Sequence, residues 1–495
     1  MRIVLLVISF FLFTVARADN GPYYYEYNSN CSKAYNELLS LQSERAIQYL
    51  NREKELHPNN LMRVYIEDYD DCLLLLFNGD KAQLALRRDN LDERIKLLEQ
   101  GGDDSPWYRL CKSGLYMHWA CIYVRFGENL KAANLFRKSF ILIKENRKRF
   151  PDFKYNEVFY GAEEAALGAI PDNFKWVASI FGMRGDVKSG IKKLEKFLAT
   201  SNADDLLYNE VVVYYAYLKF YLLSDKESVW SFLNTPKINT NGNLLYSFVK
   251  ANIAHNFRKA EDCIIVINEA KKVSGYDKYP VLDFELAQAQ LLKQDYSCIE
   301  AFNSFLSRYK GGLFYKDALL QLSYAYYLKG NAEKAKRVME RVVHEGSSIV
   351  DADKQALRFA ERGVLPNKAL LQIRLLIDGG YYQSALLEIK KHSISDFANE
   401  VDKVEFVFRT ARAYDEIGED ELAIEYYKKA IKLGYGKREH FAARSALQVG
   451  FIYEKNKKPA NALLMYKQVL SMDDHDFKSS IDQQAKAGIN RLSVH

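Results

Sequence analysis

One spacing of residues recurs in three distant parts of this chain. A tyrosine is followed after four residues by a glycine and after five more by an alanine. A large apolar residue follows four positions later, and a smaller one stands three positions after that. The three copies are Tyr414, Gly418, Ala423, Tyr427 and Ala430; Tyr326, Gly330, Ala335, Met339 and Val342; and Tyr123, Gly127, Ala132, Phe136 and Ser139. The glycine is suited to end a first helix, and the small residues let a second helix pack closely against it. The pattern predicts an all-α solenoid of helical hairpins.

Weaker copies of the spacing extend the pattern over most of the chain. Further positions equivalent to the alanine are Ala46, Ala260, Ile299, Ala385 and Ala462. In the second half of the chain most neighbouring copies lie 36 to 39 residues apart, which predicts about eight to ten hairpins between residues 31 and 490. Nine prolines against 35 tyrosines and 28 phenylalanines also favour long helices with aromatic packing between them.

These residues resemble the tetratricopeptide repeat, whose aromatic, glycine, alanine, aromatic and alanine positions follow in the same order. The resemblance implies a right-handed superhelix in which the first helix of each pair lines a concave groove. It also implies that the groove holds a protein or peptide partner. The copies ending near Ser139, Val342, Ala430 and Val469 match the pattern well, whereas the other copies are degenerate.

Residues 151–198 interrupt the repeats with closely spaced glycines and a proline. The segment contains Gly161, Gly168, Pro171, Gly182, Gly185 and Gly190. It resembles a glycine-proline joint in secreted or periplasmic tetratricopeptide-repeat proteins of Bacteroidetes-type bacteria, and it is distantly similar to a block in the eukaryotic inclusion-body-clearance family. We therefore predict an N-terminal array over residues 31–150, an irregular joint over 151–198 and a C-terminal array over 199–495.

The N-terminus reads as a secretory signal peptide over residues 1–18. Arg2 precedes an apolar run from Ile3 to Val15, and Ala16-Arg17-Ala18 fits a cleavage site before Asp19. An uncleaved membrane anchor is the alternative. We expect residues 19–30 to be a flexible segment and the mature protein to be periplasmic or secreted, with a bacterial origin preferred over a eukaryotic secretory pathway.

Charge and cysteine content narrow the possible functions. Removal of Arg2 and Arg17 leaves 68 basic and 64 acidic residues, a near balance that gives no electrostatic case for nucleic acid. The six cysteines are Cys31, Cys72, Cys111, Cys121, Cys263 and Cys298. They form no CxxC pair, so a zinc site has no support, while Cys31–Cys72 and Cys263–Cys298 bridges remain open. No phosphate loop, HExxH motif or GxSxG elbow occurs, and we predict no catalytic residue, metal or cofactor.

The repeat register also predicts which residues face a partner. On the first helix, the residues that flank the small packing positions should point into the groove. These candidates are Phe408, Arg412, Asp415, Arg444, Phe451, Lys455, Tyr324 and Tyr327. Aromatic and arginine side chains on such a wall suit peptide capture.

Three functions compete on this basis. A non-enzymatic scaffold for protein–protein contacts in the cell envelope fits the repeats best. A small-ligand or glycan receptor is the alternative, because aromatic helical clefts can stack sugars. An enzyme with a site near Gly182 to Gly190 is the least favoured, since that segment offers no nucleophile and base that can be paired from the sequence.

Overall fold

The computed structural model describes residues 22–170 and 183–493, which are mostly helical. These residues contain no β-strand, only an isolated parallel bridge between Tyr24 and Asn60. The predicted all-α class is confirmed. The chain divides into two compact units: unit 1 comprises Met1–Leu76 and Lys81–Asp225, and unit 2 comprises Phe77–Asp80 and Lys226–His495. The predicted signal peptide and its cleavage site lie outside the described residues.

The described helices up to Asp225 form three hairpins and four further helices. They are α1 (Ser29–Leu38), α2 (Ser43–Leu56), α3 (Met62–Asn78), α4 (Lys81–Arg87), α5 (Asn90–Leu98), α6 (Pro106–Arg125), α7 (Asn129–Arg149), α8 (Asn156–Gly168), α9 (Val187–Thr200) and α10 (Tyr208–Leu222). The hairpins are α1–α2, α6–α7 and α8–α9, and α10 packs against the last pair.

The described helices after Asp225 form six hairpins. They are α11 (Lys226–Leu233), α12 (Leu244–Asn256), α13 (Ala260–Ala270), α14 (Val281–Lys293), α15 (Cys298–Arg308), α16 (Tyr315–Leu328), α17 (Ala332–His344), α18 (Asp351–Glu361), α19 (Lys368–Asp378), α20 (Tyr382–Ile389), α21 (Glu400–Glu416), α22 (Asp420–Gly434), α23 (Phe441–Lys455), α24 (Pro459–Leu470) and α25 (Lys478–Ser493). The pairs are α12–α13, α14–α15, α16–α17, α19–α20, α21–α22 and α23–α24, and α25 packs on the last pair. Together with the three earlier pairs, the described residues form nine hairpins, which lies within the predicted eight to ten.

The hairpin turns share one backbone hydrogen bond. In the three strong copies the amide after the glycine donates to the tyrosine carbonyl five residues earlier: Glu128 to Tyr123 at 2.8 Å, Asn331 to Tyr326 at 2.9 Å and Glu419 to Tyr414 at 3.0 Å. This is the Schellman cap, which needs a left-handed residue just before the donor. Gly127, Gly330 and Gly418 supply it with φ of 78°, 96° and 83°.

Four further copies use the same cap without glycine. The equivalent bonds run from Gln42 to Glu37, Lys259 to Ala254, Asp295 to Gln290 and Lys458 to Tyr453. The left-handed residues there are Leu41, Arg258, Gln294 and Lys457, with φ between 56° and 63°. The turn therefore persists where its sequence signature is lost.

The small and aromatic positions of the second helices are buried as the spacing predicts. Ala335, Ala423 and Ala462 have no exposed surface, and Tyr427 and Tyr466 are equally enclosed. Gly450 of α23 and Gly488 of α25 flank the ring of Tyr466, and a Cβ at either glycine would lie 2.4 Å from a ring carbon. Both glycines therefore make room for one aromatic side chain.

The described part of residues 151–198 is more regular than its composition suggests. Helices α8 and α9 cross so closely that a Cβ on Gly190 would lie 2.4 Å from the Gly161 carbonyl oxygen. A Cβ on Gly185 would lie 2.2 Å from the Glu164 carbonyl oxygen. The glycines that suggested an irregular joint thus allow two helix backbones to touch. Pro171 and Gly182 lie outside the described residues.

Residues 24–28, predicted to be flexible, are instead held in place by the loop after α2. Tyr24 accepts a bond from the Leu61 amide at 2.8 Å, and the Asn60 side chain bonds both backbone groups of Glu26. Asn28 caps α1, and its amide donates to the buried Glu53 at 2.7 Å. Sequence patterns could not reveal this because the contacts are made by a loop more than 30 residues away.

All six cysteines are free, and Cys121 alone is exposed. Neither of the two bridges left open by the sequence is present. The buried thiols pack as small apolar groups within the helical layers.

Candidate functional site

The last four first helices of unit 2 can be compared at one register position. This position lies two residues before the carbonyl that accepts the Schellman bond. In α16, α19, α21 and α23 it holds Tyr324, Arg374, Arg412 and Phe451. We call these four residues the groove row. Two arginines flanked by two aromatic residues thus follow one another along successive repeats.

Helix α21 adds a charged stripe beside the groove row. Glu405 and Arg409 are paired at 3.1 Å, and Arg412 and Glu416 at 3.0 Å, with the residues of each pair four positions apart. Glu416 also accepts bonds from Arg258 and from the Tyr382 hydroxyl, the latter at 3.2 Å. These bonds tie the end of α21 to turns that lie far away in the sequence.

Arg374 is held in a site that favours its charge. Its guanidinium lies 5.6 Å from the ring centre of Tyr324. Burial alone would lower the pKa of Arg374, but Tyr324, Glu405 and Asp378 raise it overall. Arg374 therefore serves mainly to balance the negative charges around it.

Arg444 on α23 is in the opposite situation. Among the described residues no carboxylate oxygen lies within 4.0 Å of its guanidinium. Burial and the positive charge of Arg412 lower the pKa of Arg444. Burial and the charges of Arg409 and Arg444 lower the pKa of the neighbouring His440 to about 4, which leaves that ring neutral. The end of the groove row at α21 and α23 is therefore a positive site with one uncompensated charge.

The remaining predicted groove residues fall into three groups. Phe408 and Tyr324 are only 2% and 5% exposed, so they pack inside the repeats and do not present a free surface. The reason is that successive first helices lie close enough to bury them; Phe408 meets Tyr427 and Phe441. Asp415 accepts a bond from the Tyr427 hydroxyl at 2.9 Å, a contact within the hairpin.

Besides Arg412, Asp415 and Arg444, which are half-buried, three predicted residues keep accessible surface. Lys455 is exposed and pairs with Asp420 at 2.6 Å, while Tyr327 and Phe451 are half-buried. Phe451 also meets the edge of Tyr466 at 5.8 Å. The predicted set is therefore divided: Phe408 and Tyr324 lie in the interior, Tyr327 is half-buried on α16, and the other five residues lie at α21 and α23.

Unit 1 contains a second polar cluster, and it is fully enclosed. Asp68 on α3 accepts bonds from His118 at 2.8 Å, Trp119 at 3.0 Å and Arg94 at 2.9 Å. His118 Nε2 lies 3.7 Å from a Glu210 oxygen, and Glu210 also accepts from Tyr69 and Tyr214. Burial lowers the pKa of His118, but the two carboxylates outweigh it and raise that pKa to about 9. Asp68, His118 and Glu210 are at most 5% exposed, so the cluster is a structural ion network.

Comparison with known families agrees with the hairpin geometry. Residues 317–345 and 404–433 match family models described as tetratricopeptide repeat. The two segments cover α16–α17 and α21–α22, two of the three copies that are strongest in the sequence. The chain carries tetratricopeptide repeats.

Comparison with curated proteins finds no match. Solved structures that resemble the chain include the APC/C hetero-tetramer Cut9–Hcn1, at 12% identity over 92% of this chain and 96% of that one, with a TM-score of 0.29. A human IFIT1 dimer with PPP-AAAA is 14% identical over 89% of each chain, with a TM-score of 0.34. Scores this low carry no information about what this tetratricopeptide-repeat chain binds.

Membrane spans and metal sites are the other features that bear on function in the described residues. No helix there is long and apolar enough to cross a membrane. No group of three or more histidine, cysteine, aspartate or glutamate side chains is placed to hold a metal ion.

The sequence reasoning missed four residues of the site: Arg374, Glu405, Arg409 and His440. A usable signal was present for two of them, because Glu405, Arg409, Arg412 and Glu416 form one stripe of helix α21 by their spacing. Arg374 lies in a degenerate repeat in which Leu376 replaces the tyrosine. Its equivalence to Arg412 emerges only from the shared cap.

Proposed function

We propose that this protein is a non-enzymatic scaffold that holds a protein or peptide partner on the first-helix face of unit 2. The observation that carries the proposal is the groove row, which places arginine and aromatic side chains at one register position in successive repeats. Tetratricopeptide repeats typically serve as protein-interaction scaffolds, and arrays of this kind present extended binding surfaces.

The accessible end of this face lies at α21 and α23. Phe451 is half-buried, Lys455 is exposed, and Arg412 and Arg444 are half-buried beside them. Aromatic and arginine residues are the types that most often dominate binding energy at interfaces. The glycan-receptor alternative is weaker, because Phe408 and Tyr324 are buried and leave fewer rings for stacking.

We further propose that the scaffold acts in the cell envelope, as a periplasmic or secreted protein. The support is the apolar run and the Ala16-Arg17-Ala18 site at the N-terminus. Mass spectrometry of the protein from its native cells should give a chain that starts at Asp19. A mature chain that still starts at Met1 contradicts this location.

Site-specific photo-crosslinking tests the binding face. A photoreactive amino acid replaces Phe451, and the matched control replaces Leu464, which is 66% exposed on the second helix α24. In native cells the Phe451 position should give discrete protein adducts and the Leu464 position should not. Adducts at neither position, or equally at both, contradict the proposed face.

A further inference from the structure

The uncompensated charge of Arg444 identifies the chemistry of the partner. Three neighbouring cationic groups at this end of the face each contact a carboxylate. Arg409 pairs with Glu405, Arg412 with Glu416 and Lys455 with Asp420. Arg444 differs from these three, since no carboxylate oxygen of the described residues lies within 4.0 Å of its guanidinium, and it is half-buried within the same cluster.

A half-buried, unpaired guanidinium is unfavourable in the free protein. Removing a charge from water without a partner costs free energy, and the nearby Arg412 adds repulsion. A carboxylate from a ligand would remove both penalties, since arginine and carboxylate can form two parallel hydrogen bonds. Binding of such a group is thus favoured more at Arg444 than at a surface arginine that already has a partner.

The residues around Arg444 favour a ligand that carries an apolar group beside its negative charge. Phe451 lies two turns further along α23, on the same stripe of the helix by its spacing of seven residues. A bound segment that places an acidic side chain on Arg444 can place an apolar side chain on Phe451. The neutral His440 on the other side offers no competing positive charge, because its pKa is lowered to about 4.

We propose that unit 2 binds a peptide segment with internal acidic side chains, one carboxylate lying between Arg444 and Arg412 and a neighbouring apolar residue against Phe451. This inference rests on the proposed function and names the partner's chemistry.

Fluorescence anisotropy with a defined probe tests it on the full mature chain. The probe is a labelled peptide of alternating glutamate and phenylalanine, with an amidated C-terminus so that only side chains carry carboxylates. A matched probe has glutamine in place of glutamate. We expect the glutamate probe to bind roughly tenfold more tightly, as expected for a carboxylate paired with a buried arginine.

Variants then locate the binding site. Arg444→Gln should weaken binding of the glutamate probe roughly tenfold and leave the glutamine probe unchanged. The control is Arg438→Gln, because the Arg438 side chain is 83% exposed and its nearest ion-pair contact, to Asp476, is a loose one at 3.8 Å. This control should bind as the wild type does. Equal binding of both probes, or no effect of Arg444→Gln, overturns the inference.

Competition separates the acidic peptide from other anions. A single-stranded oligonucleotide that displaces the probe more strongly than unlabelled glutamate peptide overturns the inference, since the site would then prefer phosphates. If photo-crosslinking at Phe451 gives adducts while the glutamate probe fails to bind, the scaffold function stands and the acidic-peptide inference falls.

Discussion

The two units place their charged residues in opposite ways. In unit 1 the cluster of Asp68, His118 and Glu210 is sealed from water, and each charge has an opposite charge beside it. In unit 2 the arginines of α21 and α23 keep partial exposure, and Arg444 lacks a carboxylate partner among the described residues. A buried, paired network is worth most to the folded state because removing one partner leaves a bare charge. An accessible, unpaired arginine contributes little to stability and is available to a ligand.

The largest effect should follow from breaking the network in unit 1. Asp68→Ala removes the carboxylate that Arg94, His118 and Trp119 share. Arg94 keeps Asp71 at 2.6 Å, but the buried His118 and Trp119 lose their hydrogen-bond acceptor, and we expect unit 1 to be destabilised by roughly 3 kcal/mol. Hydrogen exchange, followed peptide by peptide, should show the loss of protection in unit 1 and not in unit 2.

The control is Asp103→Ala, because Asp103 is 61% exposed and pairs with Arg109 and Arg149 only at the surface. It should change stability far less than Asp68→Ala does, because water screens exposed ion pairs. Equal effects of the two substitutions would mean that the buried network is not what holds unit 1 together.

The second effect concerns glycines that serve different purposes in the two units. Gly190→Ala in unit 1 forces a methyl group against the Gly161 carbonyl oxygen, and we expect a loss of about 2–3 kcal/mol in chemical denaturation. Gly418 in unit 2 has open space around its Cβ position and is needed only for its left-handed conformation. Gly418→Asn should cost about 0.5 kcal/mol or less, since asparagine tolerates that conformation. If Gly418→Asn lowers stability strongly and Gly190→Ala does not, the roles given to these two glycines are wrong.

A buried carboxyl should make the stability of unit 1 depend on pH, and substitution of that residue should remove this dependence. Glu163 is fully buried, and burial raises its pKa to about 8, with the Ser139 hydroxyl opposing the shift. Its ordinary value is 4.5, so between pH 4.5 and 8 the folded state holds a proton that the unfolded state has released. The free energy of unfolding therefore falls as pH rises through this window.

Glu163→Gln tests this between pH 5 and 6.5, where His118 stays protonated in the folded state. The substitution should reduce the pH-dependent loss of stability by about 2 kcal/mol over that interval. Hydrogen exchange in unit 1 at the two pH values provides the measurement. Glu333→Gln in unit 2, at a carboxyl that is 83% exposed, should leave the pH dependence as it is.

The hairpin turns indicate how much of the fold the sequence could supply. The strong copies were found because glycine marks the left-handed residue at Gly127, Gly330 and Gly418. No glycine marks the turn at Arg258, Gln294 and Lys457, because packing of the flanking helices imposes the same conformation on ordinary residues. Lys457→Gly should therefore relieve strain and stabilise unit 2 by about 1 kcal/mol in thermal unfolding. No gain would indicate that the turn at Lys457 is unstrained.

The candidate site was less predictable than the fold, for a related reason. Repeat register identifies which helix face a residue occupies, and in the structure the predicted residues Arg412, Arg444 and Phe451 are half-buried on α21 and α23. It does not report how closely successive first helices approach, which decides that Tyr324 and Phe408 are buried. Nor does it report which charges find partners across repeats, so the pairing of Arg412 and the isolation of Arg444 appear only in three dimensions.

The smallest expected effect is the one that best separates the two units. Arg444→Ala removes a half-buried charge that has no carboxylate and is repelled by Arg412, so stability should change by about 0.5 kcal/mol or less, or rise slightly. The same substitution should remove most of the affinity for the glutamate probe. Asp68→Ala should do the reverse, lowering stability in unit 1 while protein that remains folded binds the probe normally. If Arg444→Ala instead unfolds unit 2, then Arg444 is a structural residue like Asp68, and the contrast between a sealed network and an open binding face is wrong.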